Sequence, residues 1–415
     1  MSLERGPEGR RRAVGGLCVT ELVSWGVLYY TVPATLPSLV EQTGWSATQI
    51  MTGFTAGLLV NAVATVPIGR LIDRHGPRWV MTAGSLLGAV ALVAVAAATE
   101  PGWFAAAWML AGLAQAGLLY PPAFTALTRW YGPDRVRPLT ILVLTAGLAS
   151  TVFAPITAEL TAELGWRTAY LVLAALLLAV TAPIHVVALN LPWPPARVTD
   201  RPGDAGHIRQ VTSTRAFRLL ALAFAVTGLG LYAATTNLVP LLVDRGIDRT
   251  TAATVFGLCG AGQLLGRVGF PALTRRTRPH TRDVAILTAA SVSVVVLALS
   301  PGALLPAIAT AVFAGAARGA FTLVQASAVA DRWGTRDFGT INALATTPAA
   351  IAIALAPATG AALAESSGGY TLAWLFLGGL VAIGALLVMG TAPPGPPAPQ
   401  PGGKPIEPGS ATDST

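Results

Sequence analysis

Lysine is almost missing from this chain: Lys404 is the only one, so a net charge of +8 rests on arginine. Charged residues of both signs make up 11% of the 415 positions. A soluble domain carries roughly 25%, which excludes an ordinary soluble protein. Cysteine is scarce as well. Cys18 and Cys259 lie far apart, each inside an apolar run, which excludes a disulfide framework or a cysteine metal site and leaves small apolar packing as their role. No Gly-rich phosphate loop, zinc-binding His pair or nucleophile motif stands in a fitting context. Enzymatic activity, a cofactor, a bound metal and an ATPase domain are therefore not expected.

Long apolar runs fill the chain instead, at 53% hydrophobic residues and a mean hydropathy of +0.62. Hydropathy and its punctuation predict twelve spans, roughly 15–39, 47–68, 79–99, 103–128, 138–160, 168–190, 216–242, 251–272, 284–300, 303–328, 339–363 and 370–390. Each is long enough to cross about 30 Å of hydrocarbon as a helix, the shortest only just. The Arg-rich start (Arg5, Arg10, Arg11, Arg12) resembles a signal peptide, but no small-residue cleavage site ends the following run, so it is expected to stay as the first helix.

Arginines crowd the loops on one side: Arg70, Arg74 and Arg78, then Arg129, Arg135 and Arg137, the 191–215 connection, Arg275, Arg276, Arg278 and Arg282, and Arg332 and Arg336. The other side holds Arg167, Arg245 and Arg249. Short Arg-rich loops stay cytoplasmic, which predicts a multi-pass protein of the cytoplasmic (inner) membrane with both termini inside. A basic balance also suits nucleic acid, but loop sorting explains these arginines and no nucleic-acid partner is expected. The expected organisation is a cytoplasmic N-terminus (1–14), a six-helix bundle (15–190), a polar, Pro-rich linker (191–215), a second six-helix bundle (216–390) and a disordered cytoplasmic tail (391–415).

The halves repeat. Arg129-Trp130 followed by Asp134 corresponds to Arg332-Trp333 followed by Asp337, a shift of 333 − 130 = 203. The same shift pairs Tyr29 with Tyr232, Pro37 with Pro240, Glu41 with Asp244 and Gly112 with Gly315. Parallel repeats of this kind are what fused six-helix halves leave in sequence.

The stretch Gly69-Arg70-Leu71-Ile72-Asp73-Arg74-His75-Gly76-Pro77-Arg78, expected as a hydrophilic turn between spans two and three, resembles the Gly-x-Leu-x-Asp-Arg-x-Gly-x-Arg signature of major facilitator superfamily transporters. Gly69, Leu71, Asp73, Arg74, Gly76 and Arg78 all match it. The resemblance implies an all-α membrane protein with twelve transmembrane helices in two pseudo-symmetric six-helix bundles. It also implies a conformational gate at Asp73 and its neighbours, which is no substrate site.

Ionisable residues deep in a span are costly and are functional candidates by default. Glu21 in span one, Arg267 in span eight and Arg318 in span ten qualify, with Asn61, Gln115, Asn237, Gln263, Gln325 and Asn342 as uncharged polar candidates. Gln115 is the repeat mate of Arg318 by the 203 shift. His185, near the end of span six, is expected to reach water. Glu21 is a counter-charge to an arginine or a proton carrier, and the two readings stand level. Two buried arginines against one carboxylate leave a positive centre, and planar guanidinium forks suit carboxylates. The aromatics Trp25, Tyr29, Tyr30, Tyr120 and Tyr232 fall on spans one, four and seven, as packing or as pocket walls; Tyr29 and Tyr232 would flank a ligand from opposite halves.

Arg129-Trp130-Tyr131 with Arg137-Pro138, Gly165-Trp166-Arg167 and Tyr30-x-x-Pro33 resemble the monocarboxylate-transporter branch, which includes oxalate/formate exchanger-like proteins. That branch implies a carboxylate-binding arginine in span eight, which Arg267 matches. Its aspartate one turn earlier is Gln263 here, and its lysine after the span-one proline is Ala34. The expected function is gradient-driven transport of a small organic anion by proton symport or exchange, from a monomer in contact with lipid. The alternative is proton-driven export of hydrophobic molecules, although its span-five Gly-Pro-x-x-Gly-Gly signature is replaced by Ala146-Gly147-Leu148-Ala149-Ser150. A membrane sensor on the same fold is a third reading, for which the chain shows no signalling domain.

Overall fold

Inside a bilayer every backbone polar group needs a partner from the protein itself, which leaves helices for an apolar chain of this kind. The computed structural model describes residues 7–193, 205–300, 302–334 and 337–391. Span one is α1 (Pro7–Trp25) and α2 (Thr31–Thr43), joined through a single π-helical turn at Gly26–Tyr30. Then come α3 (Ala47–His75), α4 (Pro77–Ala96), α5 (Pro101–Leu118), α6 (Tyr120–Tyr131), α7 (Val136–Ala146) and α8 (Ala149–Ala188). A short α9 (Ala205–Thr212) precedes α10 (Arg215–Thr236), α11 (Leu238–Asp244), α12 (Arg249–Arg276), α13 (Pro279–Leu299), α14 (Leu304–Trp333), α15 (Phe338–Ser366) and α16 (Tyr370–Met389).

Ten of the described helical stretches are long and apolar enough to cross a membrane. The 52-residue stretch Arg137–Ala188 turns back at Gly165, where φ is +75°, and so crosses twice. Helix α12 has 28 residues but is more polar than the other spans. Counting both gives the twelve crossings. Helix ends follow local chemistry. Ser46 and Gln49 form a capping box for α3, Asp248 caps α12, and Pro77, Pro101 and Pro279 open helices in the first turn. At Asp248, bonds from the Thr251 side chain and backbone N–H hold the carboxyl below the ordinary aspartate value.

In the first half two placements differ from the sequence expectation. Residues 69–75 are not a turn but the last two turns of α3, which runs on to His75 and breaks only at Gly76 (φ +80°, ψ 170°). His185 does not reach water: it is fully buried, with its Nδ1 3.0 Å from the Ser85 hydroxyl, to which Thr181 donates at 2.8 Å. The 191–215 connection contains α9; its residues 194–204 and the expected tail from 392 lie outside the described residues.

Packing keeps the repeat register. A Cβ on Gly112 would sit 2.0 Å from the Gly57 carbonyl oxygen, and one on its repeat mate Gly315 would sit 1.9 Å from that of Cys259. Both glycines let paired spans, α3 with α5 and α12 with α14, touch backbone to backbone, as lipid-embedded helices need. Cross-half contacts gather at the end away from the Arg-rich loops. There Arg249 pairs with Glu41, the Thr48 N–H donates to Glu365 at 2.9 Å, and the Thr250 hydroxyl lies 3.4 Å from Glu159.

Candidate functional site

The π-turn sets the geometry of the site. Single π-turns inside α-helices are frequent at functional sites, and here the Gln115 amide donates to the Leu28 carbonyl within the turn at 2.9 Å. Gly26 fits the turn against the Phe153 ring, which a Cβ would strike at 2.2 Å. The turn gathers Trp25, Tyr29 and Tyr30 on one side of a central cavity of about 590 Å³. Its lining runs from these rings toward the Arg-rich end, through Phe124, Val143, Thr322 and Ala350.

The aromatic side is continuous. Ring centroids lie 5.2 Å apart for Trp25 and Tyr29, 4.9 Å for Trp25 and Tyr120, and 5.0 Å for the stacked Tyr120 and Phe124. Across the cavity stand Arg267 and Arg318. The Arg318 guanidinium lies 4.0 Å over the Tyr232 ring and donates to the Thr235 hydroxyl at 3.2 Å, while its Nε donates no hydrogen bond. Arg318 is 4% exposed. Arg267 is half-buried, reaches the Val143 carbonyl at 3.4 Å and bonds the Tyr120 hydroxyl. Among the described residues, neither arginine has a carboxylate within ion-pair distance. A charge at mid-membrane costs about 2.5–3.5 kcal/mol even by the lower scales, so two guanidiniums facing one cavity without a carboxylate make it the candidate site.

The cavity brings together Arg267, Arg318, Tyr29, Tyr232, Trp25, Gln263 and Tyr120, together with Asn61. Gln115 stands apart, fully buried and spent on the π-turn. Glu21 also lies outside the lining: it is fully buried, its carboxylate lies against the Trp25 indole, and it sits beside Trp25 and Tyr120 rather than against either arginine. Phe124 and Val143 carry no polar signal deep in a span and Thr322 spends its hydroxyl on the Gly319 carbonyl at 2.7 Å; sequence reasoning passed over all three.

The sequence matches the profile of the Major Facilitator Superfamily over residues 17–310. The chain belongs to the major facilitator superfamily. It is similar to human monocarboxylate transporter 11, 28% identical over 62% of this chain and 53% of that protein. Rat monocarboxylate transporter 13 is 26% identical over 60% of this chain and 55% of that protein. The chain thus spans about half the length of these relatives. In fold it resembles a bacterial homolog of the human lysosomal transporter Spinster in an inward-facing, occupied conformation, with TM-score 0.73, 16% identity, and coverage of 93% of this chain and 97% of that one. It also resembles the nucleoside transporter NupG, with TM-score 0.70, 13% identity, and coverage of 92% and 99%.

In this superfamily member the matched signature is tied to its own half. Asp73 accepts from Arg129 at 2.5 Å, and the Trp193 indole donates to the Asp73 carbonyl at 3.1 Å. Arg78 donates to the Val186 carbonyl at 2.9 Å, and Gly76 packs under Trp193, which a Cβ would meet at 3.3 Å. The second half answers with Arg332, repeat mate of Arg129, which holds Asp283 at 2.8 Å, while Arg282 holds Asp331 at 2.7 Å. Sequence reading placed these second-half residues in loops; the shared Arg-Trp repeat was the signal that would have found them.

Proposed function

We propose that this chain is a secondary active transporter that moves a small, monocarboxylate-like organic anion across the cytoplasmic membrane by alternating access. The carrying observation is the pair of guanidiniums, Arg267 and Arg318, turned into one cavity without a protein carboxylate. A forked guanidinium binds a carboxylate through parallel charge-assisted hydrogen bonds. Tyr29 and Tyr232 flank Arg318, Tyr120 adjoins Arg267, and Gln263 supplies an amide one turn before it. Glu21, buried next to Trp25 without a cationic partner, is the proton carrier if transport is symport. If transport is exchange, a second anion takes that role.

Positive-inside sorting puts the Arg-rich end in the cytoplasm. The cavity lining extends toward that end and the ion pair and carboxylate contacts between the halves gather at the other, which supports an inward-facing arrangement. Rocking of segments 15–190 and 216–390 about the cavity would break the Glu41–Arg249 contact and open the outer side. The Asp73, Arg74 and Arg78 cluster, with Gly69 and Gly76, then biases which state prevails. An aromatic wall would also serve a hydrophobic drug, but the two arginines repel the cations that many such exporters carry.

The test is uptake into reconstituted vesicles of a panel of labelled monocarboxylates, with and without a pH gradient. The expected result is accumulation or counterflow of at least one acid. Loss of that transport in both Arg267→Ala and Arg318→Ala supports the reading, and normal transport by both refutes it.

A further inference from the structure

The cavity is chemically divided. Its first-half side is aromatic, with half-buried Trp25, Tyr120 and Phe124 in an unbroken row. Its second-half side carries both guanidiniums, and the one ring there, Tyr232, has a face taken by Arg318. The space is about 590 Å³. A two- or three-carbon acid held by the arginines would leave the aromatic row facing water. Volumes of about 300–1,000 Å³ enclose drug-sized ligands.

We infer that the cargo is an aryl carboxylate, whose ring lies against Trp25, Tyr120 and Phe124 while its carboxylate reaches Arg267 and Arg318. The inference rests on the anion-transport reading and adds the second half of the ligand. Aromatic pairs prefer offset or edge-to-face contact and gain more than their buried area gives, which is why a flat ring suits this row better than an aliphatic body. Tyr120 and Arg267 join the two sides: the Tyr120 hydroxyl bonds the Arg267 guanidinium. The carboxylate and the ring are therefore expected within one small molecule, separated by no more than a short linker.

Equilibrium binding to the purified full chain in detergent tests this, with acetate, phenylacetate, cyclohexylacetate and 2-phenylethanol as probes. Phenylacetate is expected to bind at least tenfold tighter than acetate and at least threefold tighter than cyclohexylacetate, with 2-phenylethanol much weaker. Tyr120→Leu and, independently, Trp25→Leu should shrink the phenylacetate-to-acetate ratio at least threefold. If phenylacetate and acetate bind within threefold of each other, the aryl inference falls and the anion site stands. If cyclohexylacetate equals phenylacetate, the row is merely apolar and the inference also falls. If 2-phenylethanol binds as well as phenylacetate, the inference falls together with the anion reading beneath it.

Discussion

Replacing Arg318 by methionine separates the two things a buried guanidinium does: hold helices together, or hold a ligand. Within the protein Arg318 bonds two neutral hydroxyls, Thr235 at 3.2 Å and Tyr29, and makes one cation–π contact at 4.0 Å. The hydrogen bonds contribute about 0.5–1.5 kcal/mol each and the cation–π contact about 1–2 kcal/mol. Against them stands a burial cost of about 2.5–3.5 kcal/mol. At mid-range the terms cancel to within about 1 kcal/mol, so Arg318→Met is expected to leave thermal stability nearly unchanged, by no more than about 4 °C in Tm on the soluble-domain scale.

Ligand binding behaves differently. Each hydrogen bond to a charged group contributes about 1.5–3 kcal/mol, and a bidentate clamp uses two. Losing roughly 3–6 kcal/mol weakens a carboxylate by a factor of about 10²–10⁴. Arg318→Lys keeps the charge but loses the fork and should fall between, at about tenfold. The assay is displacement of a labelled monocarboxylate from purified protein, run beside a thermal-shift measurement on the same samples. A Kd for Arg318→Met within threefold of wild type would falsify the anion-site argument. A large fall in Tm with binding preserved would make Arg318 a structural tie between α14 and α10.

Glu21→Gln should retain exchange of the anion across vesicles while losing accumulation driven by a pH gradient; equal accumulation by variant and wild type would remove Glu21 from coupling. Arg249→Ala, which cuts the exposed pair with Glu41, should shift the facing equilibrium only two- to fivefold, since such pairs contribute about 0.2–1 kcal/mol. Labelling of a cysteine introduced at the outer end would report it, the native Cys18 and Cys259 being buried. Gly76→Ala should cost about 1–3 kcal/mol, because φ +80° with ψ 170° is a glycine-only conformation; no change in Tm would contradict the backbone geometry. Asp248→Ala should cost about 1 kcal/mol as a lost helix cap. Because the native carboxyl titrates below the ordinary 3.8, that difference is full above pH 3.8 and shrinks as pH falls through the depressed native value.

The scaffold was legible because its signals are periodic and redundant. Apolar runs fixed the spans, loop arginines separated the two ends, and the 203-residue shift aligned Gly112 with Gly315, which do the same packing work. Boundaries were less legible: Gly69 to His75 contains no strong helix breaker, so α3 continues through polar residues until Gly76 demands a positive φ. The site was partly legible. Ionisable and aromatic residues deep in spans announced themselves, but hydropathy says nothing about which way a helix face turns. Hence Gln115, polar and deep, turned out to close the π-turn, while Phe124 and Thr322 entered the cavity lining unannounced. His185 was misjudged because nearness to a helix end does not guarantee solvent when Ser85 and Thr181 close around it.

The difference between Gln115 and Arg318 carries a consequence for how the halves divide their labour. The two occupy the same register one repeat apart, on helices whose neighbouring glycines, Gly112 and Gly315, pack alike. Helix position therefore does not explain why one side chain turns inward to Leu28 and the other into the cavity. The local partner does: the first half has a π-turn whose Leu28 carbonyl accepts from the Gln115 amide at 2.9 Å. In the second half α10 runs regularly past the corresponding level, up to Thr236, and offers the Thr235 hydroxyl instead. A symmetric cavity would present like to like across its midline. Here the turn in span one consumes the polar group of one half and brings three aromatic rings forward, leaving charge to the other half alone. Straightening that turn by deleting one residue between Gly26 and Tyr30 should free Gln115, scatter the aromatic row and lower cargo affinity more than it lowers Tm; intact affinity in such a deletion would show that the turn has no part in building the site.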